Sequence, residues 1–316
     1  MPVANCPVAA ALWAVAPDMP TPSDAFTGQI GEWTCRIRTR GDTLLSPPWH
    51  LRPYLAPAAQ SDTPADMEID IHYDETRRPA AGFPSHSPHF IVEHPKPNQI
   101  RARLSRGLEL DINTDTRHAD VTITPCPLNT LDEQEAFRLN LRGAIEVPLA
   151  LLCPELSGML FHASAFSIPG YGAVMLLGTS GAGKSTNAQW ALDRGWTVLG
   201  DDRVILQFTD SGPVVAPSPF VSEFRTESAT SDQMFPLKAI GILQRGITTS
   251  LSAMPTIASL PQVLRHAVQH RSDRMANEAM LDMAARLIGS ATVYDYRAAF
   301  SPDNLSIWEA TLRSAV

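Results

Sequence analysis

The densest chemistry in the chain lies in Gly178, Thr179, Ser180, Gly181, Ala182, Gly183, Lys184 and Ser185, which match the spacing G-x-x-x-x-G-K-[ST]. Small residues at such positions let successive backbone N–H groups curl around phosphate oxygens without Cβ clashes, forming an anion nest at a helix N-terminus. Lys184 has the reach to neutralise the β- and γ-phosphoryl oxygens, and the Ser185 hydroxyl can complete a Mg²⁺ shell, with Thr186 beside it. Further on, Asp201 and Asp202 stand side by side before Arg203. One carboxylate of such a pair can support a metal ion while the other accepts a proton from an attacking hydroxyl. Residues of these types at these spacings fit nucleoside triphosphate binding and phosphoryl transfer.

The elements needed to position them are legible nearby. AVMLL (173–177) reads as a buried strand entering the loop, and Ser185–Arg194 as the helix leaving it, stopped by Gly195 at the C′ position. MLFHASAFSI (159–168) reads as a preceding strand, PGYG (169–172) as a turn, and WTVLG (196–200) as a strand delivering the Asp pair. That last strand is expected to run parallel to the loop strand, as its neighbour. VILQF (204–208) continues extended. SLPQVLRHAVQH and NEAMLDMAARLIGS read as helices with Ser259 and Asn277 as N-caps.

Residues 1–130 have a different texture. IDIHYDE (69–75), HFIVEH (89–94), QIRARLS (99–105) and ADVTITP (119–125) alternate apolar and polar positions, as half-buried antiparallel strands do, and Pro- and Gly-rich stretches separate them. A β-rich domain is expected over 1–130, with a helical connector over 131–156 that carries apolar Ala136, Leu139, Leu141 and Ile145, and a nucleotide-binding domain over 157–316. The histidines of the first part, His72, His86, His89 and His94, do not assemble a convincing ligand set by spacing. The single HxxH (86–89) falls in a Pro-rich loop, and TRHAD (116–120) reads as surface. Trp190 and Trp196 read as packing residues.

The 316 residues carry a net charge of −8, which argues against non-specific binding to nucleic acid or to an anionic membrane. Cys6, Cys35, Cys126 and Cys153 are scattered, with no CxxC pair, and read as reduced thiols. The first residues lack the positive n-region of a signal peptide, and no run of about 18 apolar residues occurs. The expectation is a soluble, cytoplasmic protein.

FHASAFSIPGYGAVMLLGTSGAGKST followed by ALDRGWTVLGDDRVIL resembles the catalytic core of HPr kinase/phosphorylase and its shorter relatives. That family has a His on the strand before the loop strand, an Arg-Gly ending the loop helix, and a strand leading into Asp-Asp-Arg-Val. The matching positions here are His162, Arg194-Gly195 and Asp201–Val204. APSPF (216–220), FPLKAIGIL (235–243) and VLRHAV (263–268) extend the likeness to roughly 157–310. The resemblance implies an α/β, P-loop kinase core of the HPr-kinase/phosphoenolpyruvate-carboxykinase type, joined to a smaller β-rich α+β domain. It implies ATP and Mg²⁺ as cofactors, assembly into oligomers, and roles by position. Asp202 takes the place of the proton acceptor, and His162 that of the active-site histidine, one residue further from the loop than usual. Lys184 and Ser185 keep their phosphate and magnesium roles, and Asp201 supports the metal.

The sequence departs from the family in two places. SEFRTESATSD (222–232) replaces a Glu-Ile-Arg-Gly signature, leaving Glu223 or Glu227 to substitute for its metal-binding Glu, and the N-terminal part does not resemble the regulatory domain. HPr itself is therefore not the expected substrate. The FHASAF and GTSGAGKST strings are closer to shorter relatives that include kinases of lasso-peptide precursors. The expected activity is transfer of a γ-phosphoryl group to a serine of a peptide or protein held by the β-rich part. Two alternatives remain open at this point: a small-molecule hydroxyl as acceptor, or a nucleotide-dependent switch without transfer.

Overall fold

The computed structural model describes residues 25–40, 55–57, 64–74, 90–104, 107–124, 131–220, 233–270 and 274–314. The chain divides into two compact units, one of residues 1–28 and 34–152, the other of residues 29–33 and 153–316. The segment set apart as a connector is thereby split after Leu152: its long helix belongs to the first unit, and the 3₁₀ turn Cys153–Leu156 to the second.

The first unit, together with residues 29–33 at the end of β1 and the start of β2, holds β1 (Ala25–Ile30), β2 (Trp33–Arg40), β3 (Leu55–Pro57), β4 (Met67–Tyr73), β5 (Phe90–Lys96), β6 (Gln99–Leu104), β7 (Leu108–Asn113) and β8 (His118–Ile123). They form one sheet in the order β3-β1-β2-β4-β8-β7-β6-β5. The alternating patterns of β4, β5, β6 and β8 were legible as strands, but the expected all-antiparallel pairing is corrected: β2–β4 and β4–β8 are parallel, and β8-β7-β6-β5 antiparallel. Period-2 alternation registers which face is buried, not which way the neighbour runs. Ile69, Ile71, Ile100, Leu108, Leu110, Ile112, Val121 and Ile123 are buried on one face. Helix α1 (Leu131–Leu152) packs on β8, β7 and β4. Gly143 brings its backbone close to the sheet, since a Cβ there would stand 3.0 Å from Leu108 Cδ2.

The second unit contains β9 (Gly158–Ile168), β10 (Gly172–Leu177), α2 (Lys184–Asp193), β11 (Thr197–Gly200), β12 (Arg203–Thr209), β13 (Gly212–Ala216), β14 (Phe235–Arg245), β15 (Ser250–Ala253), α3 (Thr256–His266), α4 (Arg274–Ser290), β16 (Thr292–Ala298) and α5 (Ser306–Ser314). Its strands run β10-β9-β12-β13-β14-β16-β15, and a further parallel pairing of β10 with β14 closes five of them into a ring. Two apolar clusters hold helices against these strands. Val263 of α3 and Met280, Met283 and Leu287 of α4 join Phe161, Met175 and Ile240 in one. Ala188 and Ala191 of α2 and Trp308 and Leu312 of α5 join Phe166, Leu176 and Tyr296 in the other.

Three local expectations are corrected. β11 lies beside β9 and not beside β10; it shares the direction of β10 only because both run antiparallel to β9. Helix α3 begins at Thr256 behind Pro255, so Ser259 lies a turn inside, its hydroxyl donating back to the Pro255 carbonyl at 3.0 Å. Helix α4 begins at Arg274, which leaves Asn277 in its first turn and not at its cap. Among the described residues no helix is long and apolar enough to cross a membrane.

Candidate functional site

The loop from Gly178 to Gly183 leaves β10 and opens α2, in the strand–loop–helix order that the motif requires. Gly183 forms the N-cap of α2 with φ +107°, a left-handed conformation that costs a side-chain-bearing residue about 1–2 kcal/mol. Gly178 is required by space: a Cβ there would meet the Leu243 carbonyl oxygen at 2.9 Å. No side chain caps the helix start, so its first N–H groups stay directed at the loop mouth, where Thr179, Ser180 and Gly181 are exposed. Such a nest suits an anionic phosphate chain, and the residues present fit a nucleotide with its Mg²⁺.

Lys184 is buried and folds back over the loop. Its ammonium donates to the Gly178 carbonyl at 2.7 Å and the Thr179 carbonyl at 3.2 Å, and it lies 3.2 Å from His162 Nε2. Burial lowers its pKa, Asp202 opposes that shift, and Arg203 adds to it.

On its other side His162 meets Asp202, with Nδ1 3.1 Å from Oδ1, while Arg203 Nη1 lies 2.9 Å from the same ring nitrogen and 3.1 Å from Asp202 Oδ1. Lys184, a pure donor, faces Nε2, while Nδ1 lies between a donor, Arg203, and an acceptor, Asp202. Arg203 in turn donates to Asp202 Oδ1. The result is a chain from loop to carboxylate: Lys184 to His162 to Asp202. Asp201, next to it, is 3% exposed.

Several supporting residues carried no role in the sequence reading. Ser164, inside the FHASAF string, donates to the Lys184 carbonyl at 3.2 Å. Asn187 donates to the Gly183 carbonyl at 2.9 Å and accepts from the buried Tyr296 hydroxyl at 3.2 Å, tying the loop to β16. His266 ends α3, where Val268 N–H donates to the Leu160 carbonyl and Ala267 bridges Phe161. Burial, then the charges of Lys184, His162 and Arg265, push its pKa down to about 4, so it is neutral at ordinary pH. A helix of short hydrophobic periodicity gives no hint that its last residue faces a distant loop; only the strand pairing reveals it.

Trp190 packs on Phe300 and Trp196 on Phe166, in line with packing roles. Glu223 and Glu227, the candidate metal-binding substitutes, lie outside the described residues, as do His86, His89, Cys6 and Cys126. Cys35 and Cys153 are buried free thiols, whose pKa burial raises.

Fold and site together define a mixed α/β chain of two units whose second unit presents a glycine-rich loop beside a Lys–His–Asp chain. The family model described as SynChlorMet cassette protein ScmC matches residues 125–292, just over half of the chain, and this chain belongs to that family. No curated protein matches it.

Proposed function

We propose that this chain is an ATP- and Mg²⁺-dependent serine kinase of the HPr-kinase-like type, acting in the cytoplasm on a peptide or protein. The reading rests on one observation above all: the loop lysine, a strand histidine and Asp202 lie in hydrogen-bonding sequence, 3.2 Å and 3.1 Å apart.

In this reading the loop amides and Lys184 hold the charge that develops on the transferred phosphoryl group. The γ-phosphate draws Lys184 from its loop carbonyls. Mg²⁺, held through Ser185 with Asp201 behind it, would neutralise phosphate oxygens. Asp202 accepts the proton of the serine hydroxyl as its oxygen bonds to the γ-phosphorus. The bond to the β,γ-bridging oxygen breaks, and ADP departs with the electron pair. His162 and Arg203 orient the Asp202 carboxylate for the incoming hydroxyl. The sheet of the first unit supports a role in holding peptide by strand addition at the β5 edge. N-methylation of alternate peptide amides should then cut affinity, and unchanged affinity would exclude this mode.

The test is Asp202→Asn with γ-labelled ATP and candidate serine peptides. A base worth about 10²–10⁴ in rate should be lost while the dissociation constant for ATP stays within a few-fold. Equal labelling by wild type and variant would remove Asp202 from the chemistry. Slow ATP hydrolysis with no labelled acceptor would favour a nucleotide-dependent switch.

A further inference from the structure

The face of the first unit's sheet opposite α1 is polar, and its centre gathers residues that sequence spacing leaves apart. Parallel pairing of β4 with β8 sets Asp70 opposite Asp120, and Glu68 opposite His118. Like charges facing each other across a strand pair are destabilising. His118 stands beside both carboxylates: its Nε2 is 3.7 Å from Asp70 Oδ2 and 3.4 Å from Asp120 Oδ1.

Those separations are too long for N–H···O hydrogen bonds, which cluster near 2.9 Å. They are close to the spacing of about 3.3 Å between ligand atoms that each stand roughly 2.0 Å from a tetrahedral ion. One donor atom from each of Asp70, His118 and Asp120 falls within 4.8 Å of the other two.

The surroundings follow the pattern of an outer shell. Arg38 Nη1 donates to Asp70 Oδ1 at 3.1 Å and fixes a carboxylate whose side chain is only 6% exposed. The second ring nitrogen of His118, Nδ1, lies 3.9 Å from Glu68 Oε2, beyond hydrogen-bond reach, and Glu68 is itself held by Arg36 at 2.6 Å and Arg38 at 2.7 Å. Asp120 is half-exposed, which leaves an entry path, and His72 Nε2 approaches it at 3.6 Å.

We infer that Asp70, His118 and Asp120 form a site for a divalent transition ion of the zinc type, with its fourth position open to water on the exposed Asp120 side. Two carboxylates balance the ion's charge, and the imidazole nitrogen favours zinc-like ions over Mg²⁺ or Ca²⁺. The ion would clamp β4 to β8, at the centre of the sheet. None of these residues belongs to the phosphate loop, so the inference stands or falls independently of the kinase reading.

The test uses the full chain, stripped with a chelator and titrated with Co²⁺, then Zn²⁺. One Co²⁺ should enter with the intense visible bands of tetrahedral coordination, be displaced by Zn²⁺ and not by excess Mg²⁺, and raise the unfolding temperature. His118→Ala should abolish the bands, and Asp120→Asn, which removes one ligand charge at an exposed position, should weaken Zn²⁺ binding. ATP affinity should be unchanged in both variants. If a variant fails to fold, the Zn²⁺-dependent rise in unfolding temperature of the wild type still decides the matter. No uptake up to about 1 mM Co²⁺, or identical Co²⁺ spectra for wild type and folded His118→Ala, overturns the site.

Discussion

Replacing Lys184 with Met tests the phosphate reading most directly, because the stem is conserved while the charge is removed. In the free protein the ammonium is held by the Gly178 and Thr179 carbonyls and faces His162 Nε2. Losing these bonds costs stability, but the same change relieves a buried charge whose pKa the surroundings already lower. The two terms oppose each other, and the net effect on unliganded stability should stay within about 2 kcal/mol. Nucleotide binding has no such compensation. Hydrogen bonds from a cation to the β- and γ-phosphates are worth about 3 kcal/mol together, which is on the order of 100-fold in affinity. Titration calorimetry with ATP·Mg²⁺, tripolyphosphate and adenosine reads this directly. Thermal unfolding gives a second measure. Ligand at 100 times its dissociation constant stabilises wild type by about 2.7 kcal/mol, but a variant bound 100-fold more weakly by only about 0.4 kcal/mol. For a chain of 316 residues, with about 2.1 cal/mol/K of unfolding entropy per residue, that is a rise of roughly 4 °C falling to below about 1 °C. The reasoning fails if folded Lys184→Met binds ATP as wild type does, or if wild type binds adenosine as tightly as ATP.

Other substitutions test the frame around the loop. His266 stays neutral in the fold down to about pH 4, while an unfolded histidine takes up its proton near pH 6.5. Its contribution is therefore complete above pH 6.5 and is lost as pH falls from 6.5 to 4, by up to about 3 kcal/mol. His266→Gln should flatten the difference between urea unfolding at pH 7.5 and pH 5; an unchanged slope would show that another group sets it. Gly241→Ala places a Cβ 2.6 Å from Trp308 Cζ2 and 2.9 Å from Leu176 Cδ2, and should cost about 1–3 kcal/mol by overpacking. Its urea midpoint should fall with ATP affinity retained. Gly183→Ala forces a side chain into φ +107° at the start of α2, so at least about 1 kcal/mol should be lost and ATP binding with it, measured by the same titrations.

The parts of this molecule that local patterns determine were legible in the chain. The strand entering the loop, the loop itself and the helix after it follow from an apolar run, small residues and a Gly stop, and each lies within a few residues of the expected place. What the sequence could not carry is pairing across long separations. Nothing in IDIHYDE or TRHAD says that Asp70 and Asp120 face each other, because that contact depends on two parallel strands joined by a long connection. His266 is a similar case: it lies near Lys184 and His162 only because the end of α3 bridges β9. The misplaced N-caps at Ser259 and Asn277 have a local cause. Pro255 starts α3 with no side-chain cap, and Ser259 satisfies its hydroxyl within the helix.

The element that makes the site a single object is β9, and its register explains why a loop and an Asp pair so far apart in sequence act on one histidine. Leu177, the last residue before the loop, pairs with Ala163, and Arg203, the first after the Asp pair, pairs with His162. Adjacent positions of one strand thus fix both chemical segments, the loop on one side and the carboxylates on the other. Side chains alternate along a strand, so a slip of one residue would turn His162 to the opposite face and bring Phe161 or Ala163 between Lys184 and Asp202. Phe161 and Ala163 are fully buried in the apolar cluster beneath, and exposing Phe161 would forfeit about 2–3 kcal/mol of burial. The hydrophobic pattern of β9 therefore secures more than the core. By fixing which residues of the strand point inward, it also fixes that His162 stands between the lysine and the carboxylate.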